Sequence, residues 1–290
     1  MSQPFKIIGA VGDIERERWL ELRRGSLGAS DSSSLLLPDA PWGTPMTVYA
    51  DKIGAGAFDE DNEYFRWGRW LQPLLLQWLI DEANVKAIGR ELFIVSAKDP
   101  IFTATLDGFI EEGDALIPVE CKNTAWKERD WEDGVPPYVM VQVQHQIYVA
   151  GATHAYVVAS VGGQPPVWKL VDRNDEIIDE IVNTGRSFWK NHVDKGVPPE
   201  PDGDEKTSKA LSRIYPGGDR AMVNFTGDLA DLLPEIEDKK AGIKVLTESL
   251  EEMKNRLKAA IGNAEGGIFP EGEKVTWRPN KHGTRVFRGP

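Results

Sequence analysis

Residues 102–122 hold two β-prone runs, Phe-Thr-Ala-Thr-Leu-Asp-Gly-Phe-Ile and Ala-Leu-Ile-Pro-Val-Glu-Cys-Lys, on either side of the acidic turn Glu-Glu-Gly-Asp. Runs of this composition around a Gly-containing turn form an antiparallel hairpin, and a hairpin this apolar needs a sheet and helices to cover it. Alternation along a strand turns Glu120 and Lys122 to one face and Cys121 to the other. Folding the hairpin brings Asp107 from the first arm onto that same face. Two carboxylates and one ammonium then converge at a strand end. Hard divalent cations such as Mg²⁺ take oxygen ligands of this kind and keep water in their remaining positions. A protonated lysine beside that water orients it without competing for the metal.

Glu-x-Lys by itself says little, because it also occurs at Glu237/Lys239 and Glu252/Lys254. Those two fall in a charged helical stretch, where such pairs decorate a solvated face. Only the pair at 120 and 122 lies on an apolar strand behind an Asp-Gly. An exposed hairpin with scattered charges remains the plain alternative on spacing alone.

Composition narrows the class. The chain has 290 residues, 41% apolar and 28% charged, which suits one large domain plus an appendage. The expected division is 1–224 and 225–290. No run approaches the roughly 20 apolar residues of a membrane span, and no signal-peptide pattern is seen at the N-terminus. One cysteine and four histidines without zinc spacing point to a cytoplasmic chain with neither disulfides nor structural zinc. A net charge of −12 argues against nonspecific coating of nucleic acid. It leaves room for a carboxylate-centred site served by a local basic path.

Residues 13–24 read as a helix with Trp19, Leu20 and Arg23 on one face, and Ser30 or Asp31 caps a second helix after the small-residue loop from Gly25. Loops of this kind present backbone N–H groups to anions. Residues 38–62 read as a connection. Residues 63–82 carry Leu71, Leu74, Leu75 and Trp78 at helical spacing, with Pro73 expected to kink that helix or start it. Phe93–Val95 reads as a strand, and 138–151 as a helix with Gln144 and Tyr148 on one face. Strands at 154–161 and 166–171 and an amphipathic helix at 174–193 complete an α/β sandwich. Residues 196–224 read as a linker. Ile243, Leu246, Leu250, Met253, Leu257 and Ala260 mark an amphipathic helix over 228–262, which either packs on the body or joins another chain. The basic, aromatic tail 274–288 reads as a terminal hairpin suited to DNA or an acidic neighbour.

Four separated segments together resemble the lambda-exonuclease or YqaJ-type viral recombinase family of PD-(D/E)xK nucleases. They are Trp19-x-x-x-Arg23-x-Gly25-x-x-x-Ala29-Ser30, Trp67-Gly-Arg-Trp-Leu-Gln72, Asp107…Glu120-Cys121-Lys122, and Gln144-x-x-x-Tyr148. The resemblance implies a restriction-endonuclease-like core with a mixed central sheet flanked by helices, and a C-terminal helical appendage. It implies Mg²⁺ (or Mn²⁺) held by Asp107, Glu120 and the main-chain oxygen of Cys121, with Lys122 positioning the attacking water. Gln72 stands where the family has an acid and would take an outer metal position. Arg23, Ser30, Thr105 and Trp19 would form the 5′-phosphate site. Gln144 with Tyr148 would support the metal site and the DNA backbone, with Gln142 as the alternative contact. The mixed-charge segment Trp126–Trp131 is read as either a DNA contact or a surface loop.

The implied activity is a 5′–3′ exonuclease on double-stranded DNA ends in phage recombination, in a phage- or prophage-encoded protein. A single-strand annealing protein would be its partner, and a ring-like homo-oligomer its assembly. An endonuclease of the same fold, or a DNA-end-binding protein weakened by Gln72, are the alternatives.

Overall fold

A computed structural model describes residues 3–56, 63–89, 91–112, 115–124, 131, 134–218 and 221–289. The segment 126–130 and the turn residues 113 and 114 lie outside the described residues; of the stretch read as a DNA contact or surface loop only Trp131 is described, and it is 5% exposed and packed in the core, which corrects that reading at this residue. The chain divides into two compact units, Met1–Gly217 and Gly218–Pro290.

The first unit is built on two sheets. Strands β1 (Phe5–Ala10), β3 (Leu92–Ser96) and β4 (Thr103–Leu106) form an antiparallel sheet in the order β1-β3-β4. Strands β2 (Ala87–Ile88), β5 (Gly108–Glu112), β6 (Ala115–Thr124), β7 (His154–Val161) and β8 (Val167–Asp172) form a mixed sheet in that order. β6 and β7 are its one parallel pair, and all its other pairings are antiparallel. The expected hairpin is therefore present between β5 and β6, but its first arm is broken. Thr103–Leu106 pairs with β3, Gly108–Glu112 pairs with β6, and Asp107 is the residue between the two sheets. Gly108 allows the crossing, since a Cβ there would stand 2.7 Å from Leu76 Cδ2 and 3.1 Å from the Ile88 carbonyl oxygen.

Parallel strands need a crossover, and β6 and β7 are joined through α5 (Pro137–Ala150), counted after α1 (Arg16–Arg24), α2 (Ala29–Leu36), α3 (Pro45–Lys52) and α4 (Glu63–Ala83). α5 is buried on nearly every side: Val139, Val143, Ile147 and Val149 are core, and Gln144, His145 and Gln146 are equally enclosed. Gly151 ends it in the left-handed region at φ 63°, so this position favours glycine. His145 ties three elements together. Its Nε2–H donates to the Thr103 carbonyl (2.9 Å) and its Nδ1 accepts from the Ser32 hydroxyl (2.7 Å). Burial lowers its pKa to about 4, so the ring is neutral and structural.

Four further readings need correction. The connection 38–62 contains α3, announced by Thr44 as N-cap and Pro45 in the first turn, with Thr44 and Thr47 capping each other reciprocally. The cap of α2 is Gly28, whose N–H donates to Asp31 Oδ2 (2.8 Å), so Ser30 sits inside the first turn. Pro73 neither starts nor ends α4, which runs through it from Glu63 to Ala83. The linker 196–224 contains α7 (Glu205–Ile214), which follows α6 (Asp175–Phe188) and a π-turn at Trp189–Val193. α7 is capped by Asp204 and fastened to α3 by a buried hydroxyl pair, Thr207 Oγ1 to Thr44 Oγ1 at 2.9 Å.

The second unit pairs α8 (Asp228–Ile261) with an antiparallel sheet β9 (Gly266–Ile268), β10 (Lys274–Pro279) and β11 (Arg285–Arg288), in the order β11-β10-β9. Leu250, Met253 and Leu257 of α8 line a cavity of about 590 Å³ with Phe269, Val275 and Phe287 of the same unit. The lower half of the apolar stripe thus faces its own C-terminal sheet, although Leu250 and Met253, like Ile243 and Leu246, remain exposed. Among the described residues no helix is long and apolar enough to cross a membrane.

Candidate active site

The geometry at the end of β6 follows from its register. Gly108 is opposite Val119, so Asp107 stands one step beyond the paired part of β5, beside Glu120 and Cys121. Its carboxylate caps the open edge by accepting the Cys121 N–H at 2.8 Å on Oδ2. In an extended strand the N–H and C=O of one residue point to the same edge, so the Cys121 carbonyl is on the Asp107 side as well. Gln72 of α4 donates from Nε2 to the main-chain oxygen of Asp107 (3.1 Å), which leaves its amide oxygen as the atom with chemistry for a cation.

Glu120, opposite Asp107 in the continued register, is 3% exposed, with both carboxylate oxygens engaged. Its Oε1 takes the Lys122 ammonium at 2.5 Å and Gln142 Nε2 at 2.7 Å, and its Oε2 takes Gln146 Nε2 at 2.5 Å. Lys122 also donates to Gln142 Oε1 (2.8 Å), closing a three-residue ring. Burial alone would depress the Lys122 pKa, but the neighbouring Glu120 and Asp107 charges outweigh it and raise the value, so the amine stays protonated. Asp107 is displaced upward, by burial first and by the Glu120 charge next. Cys121 is raised for the same reasons, burial and then the two carboxylates, which keeps its thiol protonated and inert.

Do these groups suit a divalent ion? Two carboxylates face one ammonium, and burial first and the Glu120 charge second push the Asp107 carboxyl above its ordinary range. A hard cation would offset that charge, and oxygen donors are at hand in Asp107, Glu120, the Cys121 carbonyl and the Gln72 amide. The side-chain oxygen of Gln146 is buried without a hydrogen-bond partner among the described residues, a further acceptor beside Glu120. Among the described residues no group of three or more His, Cys, Asp and Glu is placed to hold a metal, so any ion here would draw on amide, main-chain and water oxygens beside the two carboxylates. The donor set fits a water-rich oxygen site.

A second feature is a cavity of about 1130 Å³ in the same unit. Trp19, Arg23 and Ser30 line it together, and the Arg23 guanidinium lies over the Trp19 ring at 5.0 Å. Lys52, fully buried, holds this corner rigid: its Nζ donates to Asp31 Oδ2 (2.6 Å) and to the Arg23 carbonyl (3.0 Å). Thr105, on β4 opposite Phe93, is half-buried two residues before Asp107 but does not line the cavity.

The structure therefore brings Asp107, Glu120, Cys121, Lys122, Gln72 and Gln142 into one cluster, and Trp19, Arg23 and Ser30 into another. It corrects two placements. Gln144 points away from Glu120: its Nε2 donates to the Asp172 carbonyl (2.7 Å) and its Oε1 accepts the Asn174 N–H (2.8 Å). Tyr148 packs edge-on against Phe102 at 5.6 Å, also away from the carboxylates. Residues 142 and 146 share a face, and 144 and 148 share the opposite one, because two residues along a helix turn about 200°. Gln146 was missed for that reason, although its spacing from Gln142 was readable.

The mixed five-stranded sheet, its buried crossover helix and the carboxylate–lysine cluster at the end of β6 define a restriction-endonuclease-like α/β fold. LHK-Exo in complex with dAMP superposes with a TM-score of 0.51 at 17% identity, covering 69% of this chain and 100% of that one. The alkaline exonuclease LHK-Exo from Laribacter hongkongensis gives 0.49 at 17% identity over the same shares. The particular relation comes from sequence: residues 18–153 match the model of the YqaJ-like viral recombinase domain. The uncharacterized protein YqaJ of Bacillus subtilis (strain 168) is 27% identical over 284 residues, 96% of this chain and 88% of that protein.

Proposed function

We propose that the chain is a divalent-metal-dependent deoxyribonuclease that resects linear duplex DNA from 5′ ends for phage-type recombination. The observation that supports it most is the meeting of Asp107, Glu120 and Lys122 at the open end of β6, where Asp107 holds the Cys121 N–H. Asp107, Glu120 and the Cys121 carbonyl would hold Mg²⁺ or Mn²⁺, with Gln72 at an outer position. When bound, such an ion lowers the pKa of water and offsets phosphate charge.

The chain's own residues do the rest. Lys122, kept protonated by Glu120, donates to the attacking water and steadies the charge that develops on the phosphate. Gln142 holds Lys122 and Glu120 in register, and Gln146 holds the second Glu120 oxygen. Arg23, with Trp19 beneath it and Ser30 beside it, takes the terminal 5′-phosphate, while Thr105 approaches the strand near Asp107. An annealing protein as partner and a ring of copies around DNA belong to the same proposal, carried by the relation to viral recombinases.

A nuclease assay on 5′-phosphorylated linear duplex with Mg²⁺ or Mn²⁺ tests this reading. The wild type releases nucleotides only with metal, and Lys122→Ala loses about 100-fold or more in rate, the scale for removing a main transition-state stabiliser. Equal rates for the two proteins reject the role given to Lys122.

A further inference from the structure

We infer that α7 forms a second wall of the DNA site, with the cations of its inner face gripping the sugar-phosphate backbone beyond the terminal phosphate held at Arg23. This rests on the nuclease reading above and extends it to an element outside the 18–153 domain match.

The cavity that holds Trp19, Arg23 and Ser30 is lined on its other side by Lys206, Lys209, Ala210 and Arg213. The three cations fall at i, i+3 and i+7, so they form one stripe along the helix; the stripe lines the cavity from the flank of the buried Thr207 and Ala210, with Lys209 and Arg213 exposed. Seven residues of helix rise about 10 Å, which matches roughly three nucleotide steps at about 3.4 Å each along one strand. A stripe of that length reaches more than one phosphate.

Charge points the same way. In a chain of net charge −12, six cations line this cavity, three of them on α7, against three acids, Asp31, Asp51 and Glu91. Asp31 is already neutralised by Lys52 at 2.6 Å. A local excess of cations in an acidic protein is the electrostatic footprint of a polyanion. The stripe is also held in place: Thr207 bonds Thr44, and the Lys206 ammonium donates to the Ala40 carbonyl at 3.2 Å. Both lysines of the stripe already hold an acid, Lys206 to Asp204 at 3.0 Å and Lys209 to Glu205 at 2.8 Å, and such solvent-accessible pairs exchange readily for phosphate. Continuity with the catalytic cluster runs through Glu91, which lines the cavity and whose charge is felt at Asp107.

The test is equilibrium binding of 5′-phosphorylated linear duplex by the full chain in EDTA across a salt series, beside hydrolysis with metal. Lys209→Gln/Arg213→Gln is compared with the wild type and with Lys239→Gln/Lys240→Gln on α8, with circular dichroism checking that each folds. Lys206 is left alone because it anchors the helix. The expected result is a salt slope lower by about 1 to 2 in the α7 variant, since each phosphate that is no longer neutralised takes about 0.9 from the slope, and a higher KM. The α8 variant keeps the wild-type slope. An α7 slope equal to wild type, with hydrolysis intact, overturns the α7 wall and leaves the nuclease reading standing. A lowered slope in a protein that never hydrolyses DNA supports the α7 wall and overturns the nuclease reading.

Discussion

Glu120 is the side chain on which the cluster turns, because it is buried, charged and met by an ammonium and two amides. A buried carboxylate is tolerated only when its lone pairs are met, and here glutamines of α5 supply what a single lysine cannot. The nearby Gln144 looks equivalent in sequence but has a different task, joining the end of β8 to the start of α6. Gln144→Leu removes both bonds, and because Asp172 and Asn174 are exposed and water can replace the lost partner, a cost of about 0.5–1.5 kcal/mol for each is expected in denaturant unfolding. Hydrolysis by the folded variant stays close to wild type. A rate collapse like that of Lys122→Ala with stability unchanged would put Gln144 in the chemistry after all.

Asp51 gives a pH-dependent counterpart. Its pKa is raised from 3.8 to about 6, by burial first and by the Asp31 charge next, against the pull of Lys52, Arg23 and Arg213. An acid whose pKa rises on folding holds a proton in the native state that the unfolded state has released. It therefore costs stability as pH climbs from about 4 through about 6, and the cost persists above that window. Asp51→Asn cannot ionise. Thermal melts are expected to show it more stable than the wild type near pH 7, with the gap closing toward pH 4. A gap that does not change with pH would contradict this.

At the scale of elements, much was legible because periodicity and caps were plain. β3, β5 with β6, β7, β8, α5, α6, α8 and the terminal β10–β11 hairpin all follow from alternation or helical spacing. Three misreadings had physical causes. Thr103–Leu106 and Gly108–Glu112 look like one strand, since nothing local tells which sheet each will join, and only tertiary pairing splits them at Asp107. α3 and α7 were hidden in Pro- and Gly-rich surroundings, although Thr44-Pro45 and Asp204 are ordinary helix-start signals. The choice between Gln144 with Tyr148 and the alternative contact Gln142 depended on which face of α5 meets β6, and Gln146, four residues after Gln142, lies on that same face.

Packing between elements is close where α6 crosses the Phe102 segment. A Cβ on Gly185 would stand 2.7 Å from Phe102 Cε1 and 3.1 Å from Leu27 Cδ1, both of them fully buried residues. Gly185→Ala is expected to destabilise the first unit by about 1–3 kcal/mol despite alanine's better helix propensity, the usual cost of overpacking. Chemical denaturation measures it, and a stabilised variant would show that the neighbours yield freely.

Across the whole molecule, an acidic chain gathers cations around one cavity and converging carboxylates at one strand end. That division suits a protein that must hold a cation and a polyanion at the same time, and composition alone hid it, since −12 is an average over surfaces with opposite tasks. The convergence of Asp107, Glu120 and Lys122 was readable from residues 102–122 and the fold class from the four motifs with the order of strands and helices, whereas the amides that brace the trio and the cations of α7 required the tertiary structure. Mn²⁺ diffused into crystals of the wild type and of Asp107→Asn puts the metal site itself to the test. Anomalous scattering should place an ion between the Asp107 and Glu120 carboxylates in the wild type, beside the Cys121 carbonyl, and none there in the variant. An ion bound elsewhere, or a site unaffected by the substitution, would contradict it.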